Sequence, residues 1–479
     1  MKMIIGEGYA DAASGEVIEV INPYDGTLLD TVPNATKEDI DQAVSIAVTA
    51  QKEWKMTPVY KRVELVKQFL KLVEENRDEL AKTLSMESGK SITEVAVEMN
   101  NIFTAWNAFS EKAKHLYDNV IPAGLEANHD NNVVILKREP IGVVACIIPF
   151  NFPCNLFNQK VAPALLSGNA VIVKPASYNP LTVIKLVDLL RKAGFPAGVI
   201  QVVTGNGSKA GNYLCKHKDV AAVSLTGSTE VGIEVAERCA KTLKTVALEL
   251  GGNDAFIVLE DADLELAVTE AANGRFFNAG QICCAPKRFF VHKSLYKEFT
   301  RKVTERVAAF KGGDPLDPDT KIGTVISEKA ALEVERQIKL TVSQGGKLLL
   351  GGKRNGAFVE PTIIGDVPFV ADIMHDMEVF GPVMPIASFE TEDEVLAIAN
   401  DTMYGLGGSV FTRDMKKAAR FMNDLECGSV VINGSSYFRS FEMPFGGLKY
   451  SGVGCEGVYS TFDELTTIKC VALKSIYSY

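Results

Sequence analysis

No stretch of this chain approaches the roughly 18–20 apolar residues that a membrane-spanning helix requires. The opening MKMIIGEGYADAASGEV lacks the long apolar core that follows the basic start of a signal peptide. Basic runs are missing too: 60 acidic residues outweigh 50 basic ones, for a net charge of −10. That balance opposes binding to nucleic acid or to an anionic membrane, and neither is expected as a partner. The five histidines show no metal-ligand spacing, and the nine scattered cysteines form no C-x-x-C pair. An odd, dispersed set of this kind reads as reduced thiols rather than a disulfide framework. Together these absences lead us to expect a soluble, cytoplasmic protein without a structural metal.

What is present is a large apolar fraction, 47% of 479 residues, enough for two or three packed domains. Residues 60–115 carry apolar side chains at helical spacing, with Ser91 and Glu94 placed to form a capping box. From residue 133 the rhythm changes to short β-branched runs. Strands are expected at 143–148, 170–174, 200–203, 221–225 and 245–248, with helices at 155–166, 179–193, 207–216 and 229–241. Nearly continuous apolar strands alternating with helices imply a parallel sheet covered on both faces. Ligands of such sheets sit at the carboxyl ends of the strands, where PFNFP, KPAS, TGNG, TGSTEVG and ELGG stand. A second alternating series runs from AFIVLE to SVVIN, and the tail ELTTIKCVALKSIYSY alternates like an edge strand. A closing strand of that kind often pairs with another subunit, so an oligomer is expected.

Several residues in these loops suit chemistry. Cys283 and Cys284 lie in FFNAGQICCAPKR; a thiolate attacks a carbonyl, although a Cys pair taken alone reads as two small buried hydrophobes. Glu249, in VALELGGN, ends an apolar strand, where burial raises a carboxyl toward the range of a useful general base. The alternative is a glutamate paired with a lysine or with backbone amides. Asn151, in IIPFNFPCN, offers an amide donor for an oxyanion, although taken alone it reads rather as a turn or a helix cap. In TGSTEVG, small and hydroxyl residues let backbone amides approach a phosphate at a helix N-terminus, and GNGSKAG repeats glycine after another strand. Lys174 and Ser177, in VIVKPAS, end a strand where a ribose would lie.

PFNFP, KPAS, TGSTEVG, LELGG, F-x-x-A-G-Q-x-C, EVFGPV and PFGGLKYSG closely resemble the characteristic segments of the aldehyde dehydrogenase superfamily, in the family's order, over about residues 20–475. The resemblance implies an α/β fold of three parts. These are a Rossmann-like NAD(P)-binding domain (1–117 and 141–249), an α/β catalytic domain (250–460) and a β-ribbon for oligomerisation (118–140 and 461–479). It implies Cys283 as nucleophile, Glu249 as general base and Asn151 as oxyanion donor. For the cofactor it implies Ile148, Pro149 and Phe150, then Lys174, Ala176 and Ser177, then Gly207 and Gly211. It adds Gly227 and Ser228 at the pyrophosphate, Glu378 and Phe380 at the nicotinamide ribose, and Thr226, Val231 and Leu250 as further cofactor contacts. Dimers or dimer-based tetramers are the implied assembly.

Two branch points follow from that resemblance. Relatives that transfer the acyl group to coenzyme A typically lack the glutamate matched by Glu249, which favours hydrolysis to the acid. NAD-preferring members often carry Glu where Ser177 stands; serine removes a charge that would repel a 2′-phosphate, so acceptance of NADP is expected. A catalytically silent dinucleotide-binding protein is the alternative from another class. The substrate is expected to be a small polar aldehyde. Asn151, Asn155 and Gln159 recur at i, i+4 and i+8, and a row of amides facing an apolar ligand would leave polar groups unsatisfied. Ile282, Cys284 and Phe445 are expected around it, and Ile282 stands where glyceraldehyde-3-phosphate members often have Arg. Arg439, in GSSYFRSFEMPF, can hold a carboxylate, phosphate or sulfonate, or else form an ion pair within the protein. In this loop the chain looks most like lactaldehyde, phosphonoacetaldehyde and non-phosphorylating glyceraldehyde-3-phosphate members.

Overall fold

The computed structural model describes residues 1–476, so the expected tail strand is described except for 477–479, which lie outside the described residues. Two α/β sheets dominate. In the first, five parallel strands run in the order Ile200–Val202, Ala170–Lys174, Val143–Ile147, Ala222–Thr226 and Thr245–Glu249. The chain enters at Val143–Ile147, winds outward one way, then returns to Ala222–Thr226 and winds the other way. A crevice opens at such a reversal, outside the carboxyl ends of the strands. Four of these five strands are buried along their whole length, as their mostly β-branched and apolar residues require. Met3–Ile5 and Gly8–Ala10 extend one side, and Gly452–Val453 closes the other against Thr245–Glu249. That last pairing carries a segment of the expected 250–460 catalytic portion back into the first sheet.

The second sheet orders Lys347–Leu350, Thr362–Gly365, Val383–Phe389, Pro286–His292, Asp254–Val258, Gly407–Phe411 and Ser429–Ile432; only the first runs antiparallel to its neighbour. Apart from both, Thr466–Leu473 pairs residue for residue with Val133–Pro140, which also holds Asn119–Ile121. Among the described residues, no helix is long and apolar enough to cross a membrane.

The helices expected between the strands form at Pro153–Leu166, Leu181–Lys192 and Thr229–Ala240. The one expected at 207–216 opens instead as a π-turn, Gly207–Gly211, before one α-turn, Asn212–Lys216. Two glycines in five residues leave little to hold α-geometry there.

The 60–115 region folds as Val59–Glu75, Arg77–Ser88 and Ile92–Ala113. Ser91 precedes the third helix, but its side chain makes no cap bond. The expected capping box is therefore absent. Glu94 instead accepts the Asn278 N–H at 2.9 Å, because a buried loop amide has no water to turn to.

Two carboxylates from these helices cap helices of the first sheet. Glu87 accepts the N–H groups of Leu181 and Thr182 at 2.7 and 2.9 Å. Glu98 accepts those of Cys154 and Asn155 at 2.8 and 3.2 Å, opposite the positive end of the helix dipole. Lys90 pairs with Glu98 in full burial and donates to the Asn151 carbonyl at 2.9 Å. Lys90→Met leaves the Glu98 carboxylate without its cation and is expected to destabilise the protein by about 3–5 kcal/mol. A urea midpoint unchanged from the wild type would show that the pair contributes nothing.

Candidate active site

The strand ends of the first sheet converge on the crevice. Ile148, Pro149 and Phe150 leave Val143–Ile147, and Lys174, Ala176 and Ser177 leave the neighbouring strand. Thr226 ends its strand, Gly227 follows, and Ser228 caps the helix Thr229–Ala240 by accepting the Val231 N–H at 3.4 Å. A Cβ on Gly232 would lie 2.4 Å from Leu250, so glycine is what lets this helix approach the loop after Glu249. Gly207 and Gly211 sit farther out, with open space where a Cβ would be.

The chemistry of this crevice suits a dinucleotide. The Thr226 hydroxyl is buried without a partner in the protein. Lys174 is buried with only the Pro175 carbonyl, at 3.0 Å, to receive its ammonium, and burial lowers its pKa to about 8. A helix N-terminus, an unused hydroxyl and an ammonium without a counterion fit phosphate and ribose oxygens. The Ser177 hydroxyl donates to the Gly205 carbonyl at 3.1 Å, and no carboxylate stands at this position. From the other sheet, Phe380 meets the Phe150 ring edge-on at 5.8 Å. Glu378 pairs with Lys287 at 3.1 Å and accepts the Gly252 N–H at 3.3 Å.

Between the sheets lies a cavity of about 450 Å3. Asn151, Asn155, Gln159, Ile282, Cys283, Cys284 and Arg439 all line it, as do Glu270, Asn273 and Phe438. Phe445 does not; it lies behind Arg439, whose guanidinium packs on its ring at 3.8 Å. Glu249 is also outside the lining, buried at the end of its strand with neither carboxylate oxygen bonded within the protein. Burial, and then the Glu456 charge, push its pKa well above the usual carboxyl range, while Arg439 opposes. Cys283 is partly open to the cavity and Cys284 is buried. The adjoining Cys284 thiol and burial raise the Cys283 thiol, and Lys287 and Arg439 pull it down.

The loop before Cys283 is strained. Asn278 and Ala279 both adopt left-handed φ angles, 52° and 50°, and Gly280 follows at 74°. A Cβ on Gly280 would lie 2.2 Å from the Gly381 carbonyl oxygen, so no other residue fits. Asn278 holds the turn, donating to the Asn151 carbonyl at 3.0 Å. Arg275, fully buried, donates to the carbonyls of Gly280, Val379, Gly381 and Val383. After the cysteines, Lys287 donates to the Cys283 carbonyl and Ser436 to that of Cys284.

The sequence reading passed over Lys90, Glu98, Asn278, Arg275, Lys287, Lys160 and Glu456. One signal was available for some of them: a charge inside an otherwise apolar or glycine-rich run, as with Lys160 in NLFNQKVAPALL and Glu456 in GVGCEGV. In the fold, those two form a fully buried pair, and Arg439 reaches Glu456 at 3.5 Å.

Comparison with known proteins agrees with this architecture. Residues 9–471 match the Aldehyde dehydrogenase family. The chain is 38% identical to the 3-sulfolactaldehyde dehydrogenase of Pseudomonas putida, over 98% of this chain and 96% of that one. It is also 38% identical to the NADP(+) succinate-semialdehyde dehydrogenase of Escherichia coli strain K12, over 98% and 97%. A crystal structure of an E. coli NADP-dependent enzyme superposes with a TM-score of 0.95 at 37% identity, covering 99% of this chain and 98% of that chain. A fold shared over this length, with a thiol and a buried carboxyl beside a dinucleotide crevice, leaves one assignment: the chain belongs to the aldehyde dehydrogenase family and oxidises an aldehyde to its carboxylic acid with NAD or NADP.

Proposed function

We propose that a small polar aldehyde is oxidised as a covalent adduct of Cys283 and released as the acid by water that Glu249 activates. The observation that carries this reading is the Glu249 carboxyl, buried yet without a partner in the protein. A structural glutamate at that depth would be paired or capped by amides; a general base must be free.

The Cys283 thiol loses its proton to water and its sulfur adds to the aldehyde carbon, whose carbonyl electron pair moves to the oxygen to give a thiohemiacetal oxyanion. Asn151 would steady the oxyanion: its backbone carbonyl is held by Lys90 and Asn278, which leaves the side-chain amide to turn toward the cavity. Bound NAD or NADP supplies the hydride acceptor, with Lys174, Thr226, Ser228 and Glu378 as the residues that would hold it. Once the substrate carbon has lost its hydride, Cys283 carries a thioester. Glu249 then takes a proton from water, whose oxygen attacks the thioester and frees the thiol. A free, buried base supports hydrolysis over transfer to coenzyme A.

A second reading, an anionic aldehyde held by Arg439, has one feature in its favour: the Arg439 Nε is buried without a partner. The names of the two relatives above carry a sulfonate and a carboxylate. As for assembly, Val120, Ile121, Ile468 and Leu473 expose apolar surface on the three-stranded ribbon, a strand edge suited to a second copy of this chain.

Four outcomes are expected. Cys283→Ala abolishes reduced-cofactor formation with every aldehyde; turnover at the wild-type rate removes Cys283 from the chemistry. Glu249→Gln slows steady-state turnover by about 10²–10⁴ while a stoichiometric burst of reduced cofactor remains. Because the Glu249 carboxyl is raised above the usual carboxyl range by burial and the Glu456 charge and must be ionised to act, wild-type deacylation climbs as pH rises. A burst-free Glu249→Gln enzyme, or a flat wild-type profile, goes against that role. Ser177→Glu raises KM for NADP at least tenfold with less change for NAD; equal loss for both cofactors would show that Ser177 does not face the 2′ position.

A further inference from the structure

The geometry points to Lys287 as a positioning residue for the oxidation step, a role that rests on Cys283 being the nucleophile. One buried ammonium holds the Cys283 backbone and divides its charge between that nucleophile and Glu378. Lys287 stands on Pro286–His292, four residues past the thiol, and is 2% exposed. Its Nζ donates to the Cys283 carbonyl at 2.5 Å and pairs with Glu378 Oε1 at 3.1 Å. The same carboxylate oxygen accepts the Gly252 N–H at 3.3 Å. A Cβ on Gly252 would lie 2.9 Å from the Cys283 carbonyl oxygen, so the loop after Glu249 packs against that carbonyl. Ammonium, carboxylate and glycine thereby join three segments: the nucleophile, the loop after the general base, and the residue proposed for the nicotinamide ribose.

Burial of an ammonium is unfavourable unless its charge and its donors are matched, and Glu378 supplies the charge. Lys287 is not among the residues that line the cavity, so a substrate anion is not its partner. Its field falls on the reacting thiol instead. The ionisable neighbours of Cys283 and Cys284 are Lys287, Arg439, Glu249 and Asp254. Arg439 is already engaged by Glu456 at 3.5 Å, and Asp254 accepts the Gly407 N–H at 3.0 Å. Glu249 is held toward its neutral form by burial and then by the Glu456 charge. The Cys284 thiol and burial push the Cys283 thiol up, and Lys287 is the larger of the two cations that oppose them. Glu378 counters that ammonium at contact distance, so it weakens what reaches the thiol.

The two partners of this pair therefore act on Cys283 with opposite sign. Removing the cation raises the thiol and slows its attack on an electrophile. Neutralising the carboxylate leaves the cation unopposed and speeds that attack. A pair that only braced the fold would loosen the loop in the same way from either end.

Alkylation of Cys283 by iodoacetamide in the full-length enzyme, without aldehyde or dinucleotide, reads this directly. Fragment mass spectrometry separates label on Cys283 from label on Cys284, and rates are taken between about pH 6 and 9. Lys287→Met is expected to slow Cys283 labelling about tenfold and to move the pH profile upward by about one pH unit. Glu378→Gln is expected to speed labelling by about threefold or more and to move the profile downward. The double variant is expected to fall between the two. Changes of the same sign in both single variants overturn the proposal, as does a profile that neither variant moves. A Glu378→Gln rate at or below that of the wild type overturns it even where Lys287→Met does not fold. Those results leave Cys283 chemistry standing. Wild-type label on Cys283 that leaves aldehyde oxidation intact overturns the Cys283 reading itself, and the proposal with it.

Discussion

The buried Lys90 ammonium ties together three parts of the chain that share no sheet. It reaches the Glu98 carboxylate, which caps the helix carrying Asn155 and Gln159. It also reaches the Asn151 carbonyl, whose other bond comes from Asn278 in the cysteine loop. An ammonium this deep is tolerable only when its donors are satisfied, so it fixes where all three partners stand. Its remaining face lies 4.1 Å over the Phe152 ring. The helical layer, the first sheet and the nucleophile loop are thereby held in one register.

A second constraint is strain. Left-handed geometry at Asn278 and Ala279 costs energy. It is offset by Glu94 on the Asn278 amide, by the Asn278 contacts to the Asn151 and Gln281 carbonyls, and by Arg275 bridging the Gly280 carbonyl to those of Val379, Gly381 and Val383. The same crowded arrangement presents Cys283 to the cavity while Cys284 is turned into the apolar cluster with Ile282 and Phe445. The adjoining Cys284 thiol and then burial hold the Cys283 thiol, and burial and then the Glu456 charge hold the Glu249 carboxyl, toward their neutral forms. Neutral resting groups lose less on burial than a thiolate and a carboxylate would, and proton movement becomes part of turnover.

Much of this was legible in residue order. Unbroken runs such as VVACI and AVIVK mark strands buried on both faces, and each is followed by a loop whose residues reach the crevice. The i, i+4, i+8 spacing of Asn151, Asn155 and Gln159 predicted one helical face; only Asn155 and Gln159 lie on the helix Pro153–Leu166, and Asn151 lines the same cavity from the loop before it. The capping box at Ser91 failed for a reason no local pattern carries: Glu94 is claimed by an amide 184 positions away. Arg439 was open between a ligand contact and an ion pair because its partner, Glu456, is defined only when the loop folds over Lys160.

The sequence by itself determined the α/β class and the strand-end loops, which depend on periodicity and on residue type, properties of short segments. The thiol, carboxyl and amides were singled out by the resemblance of those loops to a family's segments, since each residue taken alone also had a structural reading. Only the tertiary structure decided which charges are spent on one another and which remain for a ligand. Lys90 with Glu98, Lys160 and Arg439 with Glu456, and Lys287 with Glu378 are pairings over 8 to 296 positions of chain. Coulomb attraction and desolvation act on distance in space, and distance in space is what folding supplies.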